Sequence, residues 1–349
     1  MRIGLIARSD NSGLGNQTRE LAYMLNPSKI LLIDSRSFNE NEQHPEWYSN
    51  YNVQNNLGFI GDRVAREFLQ NLDVVISCEI FYNKDFPNLA RESGVRTILQ
   101  YNYEFLDHLQ HRRLPFPDML LSPSSWHLED VVNKFGSFCK TIHLPPPTDH
   151  NKFKNAREIN LKTNKKLLHI AGRVAIMDRN GTDTVIEMMK YSKEDFVLEI
   201  RSQEKLNYDI NDDRIKIISG NVENQEDLYS GYDAMVMPRR YAGLCLPMNE
   251  SLLCGLPVFM TDISPNNQVL PSDWLVASHK IGELMTRTML DVYSADPVQL
   301  AAKIDAYMSS DQTEAKKKAF DIGYSNFSQE SLRQKYLDAI NLELPASAY

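Results

Sequence analysis

The sequence predicts an α/β protein built of parallel sheets in two domains. Three observations carry that expectation. Short apolar runs, Ala234–Met237, Pro257–Met260 and Trp274–Val276, are bounded by Gly, Pro or Asp, as strands buried on both faces are. Segments with apolar residues at helical spacing fall between such runs along the chain. A chain of 349 residues exceeds one small core, and Pro145-Pro146-Pro147 supplies the stiff connector that a domain boundary needs.

From the N-terminus, Ile3–Ala7 reads as a strand and Arg8–Gln17 as a Gly-rich loop. Thr18, Leu21, Ala22 and Leu25 then follow helical spacing. Gly13 and Gly15 lack the third glycine of a dinucleotide fingerprint, so a tight strand-to-helix turn explains them as well as a ligand loop does. Lys29–Ile33 is a strand, and residues 35–58, rich in Asn, Ser, Tyr and Trp, read as a long exposed excursion. Val64–Leu69 is a helix; Val74–Ser77 and Thr97–Gln100 are strands. Tyr101, Asn102, Tyr103 and Glu104 sit just past a strand end, where polar and aromatic groups either touch a ligand or anchor the loop. Met119–Ser122 and Thr141–Leu144 are strands, with a helix between them that carries Leu128, Val131, Val132 and Phe135 on one face. His127 at its start suits a cap or surface position as well as a functional one.

Beyond the prolines the architecture repeats. Residues 151–166 hold six Lys/Arg against Glu158, which makes either a solvated linker or a basic lip for a polyanion. Leu167–Ala171, Phe196–Ile200 and Ile215–Ser219 are strands, and a helix carries Val185, Met188 and Met189. Arg173 follows the first of these strands, where a guanidinium can bind a diphosphate through two parallel hydrogen bonds. The expected division is 1–147, 148–322 and a closing segment 323–349.

The most informative stretch is 231–276. Between strands Ala234–Met237 and Pro257–Met260 lie a turn, Pro238–Leu246, and a helix, Pro247–Cys254. Pro247 suits the helix start and Gly255 its left-handed end. The turn therefore lies at the carboxyl edge of a sheet and feeds a helix N-terminus, a place that favours phosphate. Glu250, on the first turns of that helix, can accept two hydrogen bonds from a ribose diol.

This stretch resembles the donor-sugar motif of GT-B glycosyltransferases, above all the retaining family four. Gly243-Leu244-Cys245-Leu246-Pro247-Met248-Asn249-Glu250-Ser251 covers most of the pattern E-G-F-G-L-P-x-x-E-A, and Gly255-Leu256-Pro257-Val258 follows as its G-x-P-V strand. Pro147-Thr148-Asp149 with Phe153 resembles the family's interdomain linker, and Phe327-Ser328-Gln329-Glu330 its closing helix. Residues 326–342 would then cross back onto the first domain. The resemblance implies a GT-B fold, two Rossmann-like domains facing a central cleft. It implies that Glu250 binds the nucleotide ribose, that the amides of Gly243, Leu244, Cys245 and Leu246 with Tyr241 approach the donor, and that Val222 lies by the base. Arg173 matches the arginine of the family's G-R-x(n)-K-G pattern. Asn180 stands at its lysine, and Arg179 beside it is the candidate replacement charge. The first loop, with Asn11, Gly15 and Asn16, would lie beside the donor phosphates and the acceptor. Tyr101, Asn102 and His127 would face the acceptor, and Glu104 is the nearest candidate base by placement. Two positions depart from the pattern: Ala242 replaces the first glutamate, and Tyr101-Asn102 stand where a histidine is common.

Composition narrows the function classes. The net charge of −8 argues against a protein that coats nucleic acid, though a local basic groove stays compatible with it. Cys78, Cys139, Cys245 and Cys254 show no CxxC spacing, and no apolar run approaches the ~20 residues of a membrane helix, so a reduced, cytoplasmic chain without integral membrane contact is expected. No Asp-x-Asp and no zinc-spaced His/Cys cluster occurs, so no metal is expected to be required. The expected activity is transfer of a sugar from a UDP- or GDP-sugar to an acceptor hydroxyl. A saccharide or small metabolite is one acceptor class. A hydroxymethylated DNA base is another, because 12–18 (SGLGNQT) and 262–271 (DISPNNQVLP) resemble bacteriophage glycosyltransferases, with His108, His111, Arg112 and Arg113 as phosphate contacts and the host cytoplasm as location. A nucleotide-sugar 2-epimerase and a non-catalytic nucleotide-sugar-binding module share the same fold.

Overall fold

The computed structural model describes residues 1–111, 113–172, 174, 177–241 and 243–342. They form two compact units, one of Met1–Thr148 with the chain from Gln329 onwards, the other of Asp149–Ser328. Each is an α/β unit around a parallel sheet, as the sequence predicts.

The first unit runs β1 (Ile3–Arg8), α1 (Gly13–Leu25), β2 (Lys29–Asp34), β3 (Val53–Leu57), α2 (Asp62–Leu69), β4 (Val74–Cys78), α3 (Phe86–Glu92), β5 (Arg96–Gln100), β6 (Met119–Ser122), α4 (Leu128–Phe135) and β7 (Lys140–His143). Its sheet has the order β3-β2-β1-β4-β5-β6-β7. The central β4, VVISC, is buried throughout because helices cover both faces. The expected excursion at 35–58 is corrected: it contains β3, which pairs in parallel with β2. β3 reads VQNNL and is only half-buried, because an edge strand has one free side and tolerates polar residues. Tyr48, in the same stretch, is fully buried and donates to the Arg8 carbonyl at 2.9 Å. Helix α1 begins earlier than expected, at Gly13, with Ser12 as its N-cap. Gly15 is needed there for space: a Cβ would lie 1.8 Å from the Asp10 carbonyl oxygen. The buried face of α4 is Val131 and Phe135; Val132 points outward.

The second unit runs α5 (Lys154–Asn160), β8 (Lys166–Ile170), α6 (Thr182–Met188), β9 (Val197–Ser202), β10 (Ile215–Ser219), β11 (Ala234–Met237), α7 (Leu246–Leu253), β12 (Val258–Thr261), α8 (Asn266–Val269), β13 (Leu275–Val276), β14 (Ser278–Met285), β15 (Met289–Ala295), α9 (Pro297–Met308) and α10 (Thr313–Phe327). Its sheet order, β10-β9-β8-β11-β12-β13, reverses direction between β8 and β11. Strands β14 and β15 form a separate antiparallel hairpin that the sequence reading did not anticipate. Two buried polar contacts fix the core beneath the reversal. His169 on β8 donates from Nδ1 to the Val236 carbonyl on β11 at 2.7 Å, and its Nε2 accepts from the Thr182 hydroxyl on α6 at 3.0 Å. Lys316 on α10 meets Asp233 at 2.9 Å, both almost wholly buried.

A last helix, α11 (Gln329–Asn341), belongs to the first unit. Leu332, Tyr336, Ala339 and Ile340 pack into that unit's core. The Tyr336 hydroxyl donates to the Pro145 carbonyl at 2.9 Å and accepts from Gln100 Nε2 at 2.8 Å. Arg96 closes the helix end, donating to the carbonyls of Ile340 and Leu342 at 2.6 and 2.8 Å.

Candidate functional site

In an open α/β sheet the ligand crevice opens at the carboxyl ends of the strands where their order reverses. In the second unit that point is flanked by two segments, 171–181 after β8 and 238–246 after β11. They are tied together. The Arg240 N–H donates to the Arg179 carbonyl at 2.9 Å, and Arg240 Nη1 donates to the Met177 carbonyl at 3.2 Å. Arg240 Nη2 also meets the Asp183 carboxylate at 2.6 Å. Burial would raise the Asp183 pKa, but the hydrogen bonds and charge of Arg240 outweigh it and hold the carboxyl below its ordinary value. Gly181 is left-handed (φ 73°) and lies so close to Pro238 that a Cβ would sit 2.5 Å from its carbonyl oxygen.

Helix α7 opens toward this crevice without a side-chain cap. No hydrogen bond among the described residues occupies the backbone N–H of Leu244, Cys245 or Leu246. A helix start in that state attracts an anion through its free N–H groups and its dipole. Gly255 closes the same helix in the left-handed conformation (φ 70°), as the sequence predicts. Glu250 is 6% exposed. Its Oε1 accepts from Gln225 Nε2 at 2.6 Å and its Oε2 from the Tyr229 hydroxyl. Burial and the adjacent Glu250 charge push the Tyr229 phenol well up, which keeps it a donor. Lys152 in turn donates to Gln225 Oε1.

Arg179 is half-buried, with its guanidinium 5.4 Å from the centre of the Tyr241 ring. Asn180, at the lysine position of the family pattern, instead donates to the carbonyls of Ile170 and Ala171 at 3.0 and 3.2 Å. It clamps the end of β8. Val222 is half-buried in the segment after β10, next to left-handed Gly220 (φ 115°). Gly243 and Cys245 are buried, and Leu246 begins α7. Arg173 and Ala242 lie outside the described residues, as does Arg112.

Arg239 stands outside the residues expected at the site. Its side chain is 6% exposed, Nη1 donates to the Leu244 carbonyl, and no carboxylate among the described residues pairs with it. Two arginines follow Pro238 after the apolar run Ala234–Met237, and no local pattern tells which of them lacks a carboxylate.

The remaining candidates belong to the first unit. Asn11 and Asn16 are half-buried near the start of α1, with Gly15 packed on Asp10. Tyr101 is 1% exposed, and burial pushes its phenol up to about 12. Asn102 is half-buried and Glu104 is buried. His127 is left-handed (φ 52°), stacks on Tyr103 with ring centres 4.2 Å apart, and bonds Asp130 at 2.6 Å through Nδ1. His108 is buried against Phe116, its Nε2 bonded to the Pro115 carbonyl at 3.1 Å, so it is not a surface phosphate contact. Much of the 151–166 basic run is also engaged: Lys152 with Gln225, Arg157 with the Leu253 carbonyl, Lys165 with Asp195 and Lys166 with Glu199. No group of three or more His, Cys, Asp or Glu suited to a metal occurs among the described residues, and no helix among them is long and apolar enough to cross a membrane.

Residues 165–309, which contain both crevice segments and α7, match the family model described as Glycosyl transferases group 1. The second unit is a glycosyl transferases group 1 domain. Comparison with curated protein sequences finds no match. Among solved structures, this glycosyltransferase domain and the unit before it are together similar to a glycosyltransferase from Rickettsia africae ESF-5. The TM-score is 0.69 at 12% identity, over 97% of each chain. Anabaena Alr3699/HepE, solved in complex with UDP, matches at TM-score 0.68 and 11% identity, over 97% of this chain and 99% of that one. Sucrose-phosphate synthase from Thermosynechococcus elongatus matches at TM-score 0.65 and 13% identity, over 97% and 98%. At such identities the likeness establishes the fold, which is GT-B.

Proposed function

We propose that this glycosyltransferase moves a sugar from a nucleotide diphosphate sugar, UDP-linked before GDP-linked, to a hydroxyl of a saccharide or small hydroxylated acceptor. The observation that carries the reading is the uncapped start of α7. Three successive N–H groups await an acceptor there, and the Glu250 carboxylate lies one turn further along the helix. In this reading the amides of Leu244, Cys245 and Leu246 hold the diphosphate, and Glu250 accepts from the ribose diol. Arg179, and Arg173 as assigned from the sequence alone, neutralise charge as the nucleotide leaves. That set supplies electrostatic stabilisation without a required metal. Retention of configuration follows from the likeness to family four. UDP is placed first because the Anabaena relative was solved with UDP and with UDP-glucose.

On the first unit, Asn11, Asn16 and Asn102 are the acceptor-side or donor-side contacts we favour, because their side chains are half-buried at the carboxyl edge. Tyr101, Glu104 and His127 would support that edge. The paired state of the 151–166 run favours a saccharide or small acceptor over DNA, and a cytoplasmic location suits a nucleotide-sugar donor.

The test is a panel of nucleotide sugars without acceptor, read by thermal shift, by release of free nucleotide and by NMR of the released sugar. One donor should stabilise the protein and be cleaved slowly with retention. An epimerised donor would make it an epimerase. Stabilisation without any turnover, even with acceptors added, would make it a binding module, and no stabilisation by any donor would remove the reading altogether.

A further inference from the structure

We infer that Arg239 is a diphosphate-binding residue, supplying from the segment after β11 the second cation that Asn180 does not supply from the segment after β8. The inference rests on the donor reading above and deepens it. Four observations carry it. Asn180 spends both amide hydrogens on the carbonyls of Ile170 and Ala171, so it belongs to the scaffold. The Arg239 side chain is 6% exposed, yet no carboxylate among the described residues pairs with it. Only Nη1 has a partner there, the Leu244 carbonyl, while Nε is buried without one. The residue that Arg239 holds, Leu244, is the first of the three whose N–H groups stand open at the start of α7.

A buried guanidinium with donors to spare is costly unless an anion completes it. Arg240 next to it also has a buried Nε without a partner, but its guanidinium has Asp183 as its anion. Arg239 has only a neutral carbonyl. The anion that fits the same place must accept from a guanidinium and from a row of backbone amides at once. A diphosphate does both, with oxygens on two phosphorus atoms. The contact to the Leu244 carbonyl then orients the guanidinium and the amides toward one ligand.

The experiment compares uridine with UDP, and guanosine with GDP, by calorimetry on the full chain, for wild type, Arg239→Gln and Arg239→Lys. The wild-type gap between nucleoside and diphosphate measures what the phosphates contribute. In Arg239→Gln the diphosphate should bind about tenfold to a hundredfold more weakly, with the nucleoside unchanged, as expected for losing a charge-assisted contact. Arg239→Lys should recover part of the gap, because the charge remains and the fork does not. A purely structural role, shaping the turn through Leu244, would weaken nucleoside and diphosphate alike and would overturn the inference. So would an unchanged gap in both variants. If Arg239→Gln does not fold, the lysine variant decides: a gap smaller than wild type with the nucleoside unchanged supports the inference, and an unchanged gap or equal weakening of both ligands refutes it. A wild-type protein that binds neither diphosphate fails the donor reading itself, a result distinct from any of these.

Discussion

Replacing Glu250 by Gln separates its two roles. The wild-type carboxylate accepts from Gln225 Nε2 at 2.6 Å and from the Tyr229 hydroxyl, and Gln225 cannot turn because its own oxygen accepts from Lys152. The new amide must therefore keep its oxygen toward Gln225 and its NH2 toward Tyr229, whose hydroxyl can rotate to accept. One charged hydrogen-bond acceptor becomes a neutral pair, a loss of about 1 kcal/mol in stability. Ligand binding suffers more. A ribose diol needs two acceptor sites on this side chain, and the amide offers one oxygen already engaged. Losing two charge-assisted bonds corresponds to roughly 3 kcal/mol, or about a hundredfold in Kd for the nucleotide diphosphate. The assay pairs urea unfolding with calorimetric titration of the diphosphate selected by the donor panel. Binding within threefold of wild type, at nearly unchanged stability, would show that Glu250 anchors Gln225 and Tyr229 and does not touch ribose.

Three further perturbations test the scaffold. Burial pushes the His169 imidazole down to about 4, so between that value and the ordinary ~6.5 the unfolded chain binds a proton that the folded chain refuses. Stability therefore rises with pH across that window and falls by about 3 kcal/mol from pH 6.5 to 4; in His169→Gln the urea midpoint should lose about one proton's worth of pH slope, and an unchanged slope would contradict the assignment. Lys316→Met should cost about 3–5 kcal/mol by stranding the buried Asp233 carboxylate, seen as a melting temperature lower by roughly 10 °C, whereas a loss below about 1 kcal/mol would show that the backbone N–H groups of Asn164 and Lys166 satisfy Asp233 unaided. Gly15→Ala forces a methyl to within 1.8 Å of the Asp10 carbonyl and should cost about 1–3 kcal/mol in urea unfolding; an unaltered midpoint would mean that the loop shifts freely.

How far the sequence could be read follows from which forces act locally. Buried strands such as β6 and β11 were legible to the residue, because a strand covered on both faces must be apolar and must end at a turn former. Edge strand β3 was not, since VQNNL satisfies only one neighbour and carries no alternation. The hairpin β14–β15 was hidden for a related reason. β14 is exposed or half-buried throughout, as a loop would be, although β15 alternates exposed residues with the buried Leu290 and Val292. At the site, Glu250 and the amides of α7 were legible because Pro247 and Gly255 mark the helix that holds them. Arg239 was not, because its significance lies in the absence of a partner, which no local pattern records. The same holds for Asn180: its two carbonyl partners belong to a strand end ten residues earlier.

Six strands of the first sheet and the six of the second share one order, so each unit offers an anion the segments after its first and fourth strands, and two of these, at α1 and at α7, differ in what stands beside them. In the first unit the start of α1 is partly closed by its own chain. The Ser12 N–H donates to Asp10 Oδ1 at 3.2 Å, the Gly15 N–H to Ser12 Oγ at 3.2 Å and the Asn16 N–H to the Ser12 carbonyl at 3.0 Å. Burial would raise the Asp10 pKa, but hydrogen bonds from Ser12 and Ser35 and the charge of Arg8 outweigh it, so an ionised carboxylate stands beside this helix start. In the second unit the start of α7 has no cap, and the neighbouring guanidinium of Arg239 has no carboxylate partner among the described residues. Among the described residues the N–H groups of Gly13 and Leu14 on α1 also have no hydrogen bond, so what sets the two positions apart is charge: a carboxylate stands beside the first and a guanidinium beside the second. The proposal that the donor sits on the second unit therefore rests on the Arg239 guanidinium beside α7, against the Asp10 carboxylate beside α1.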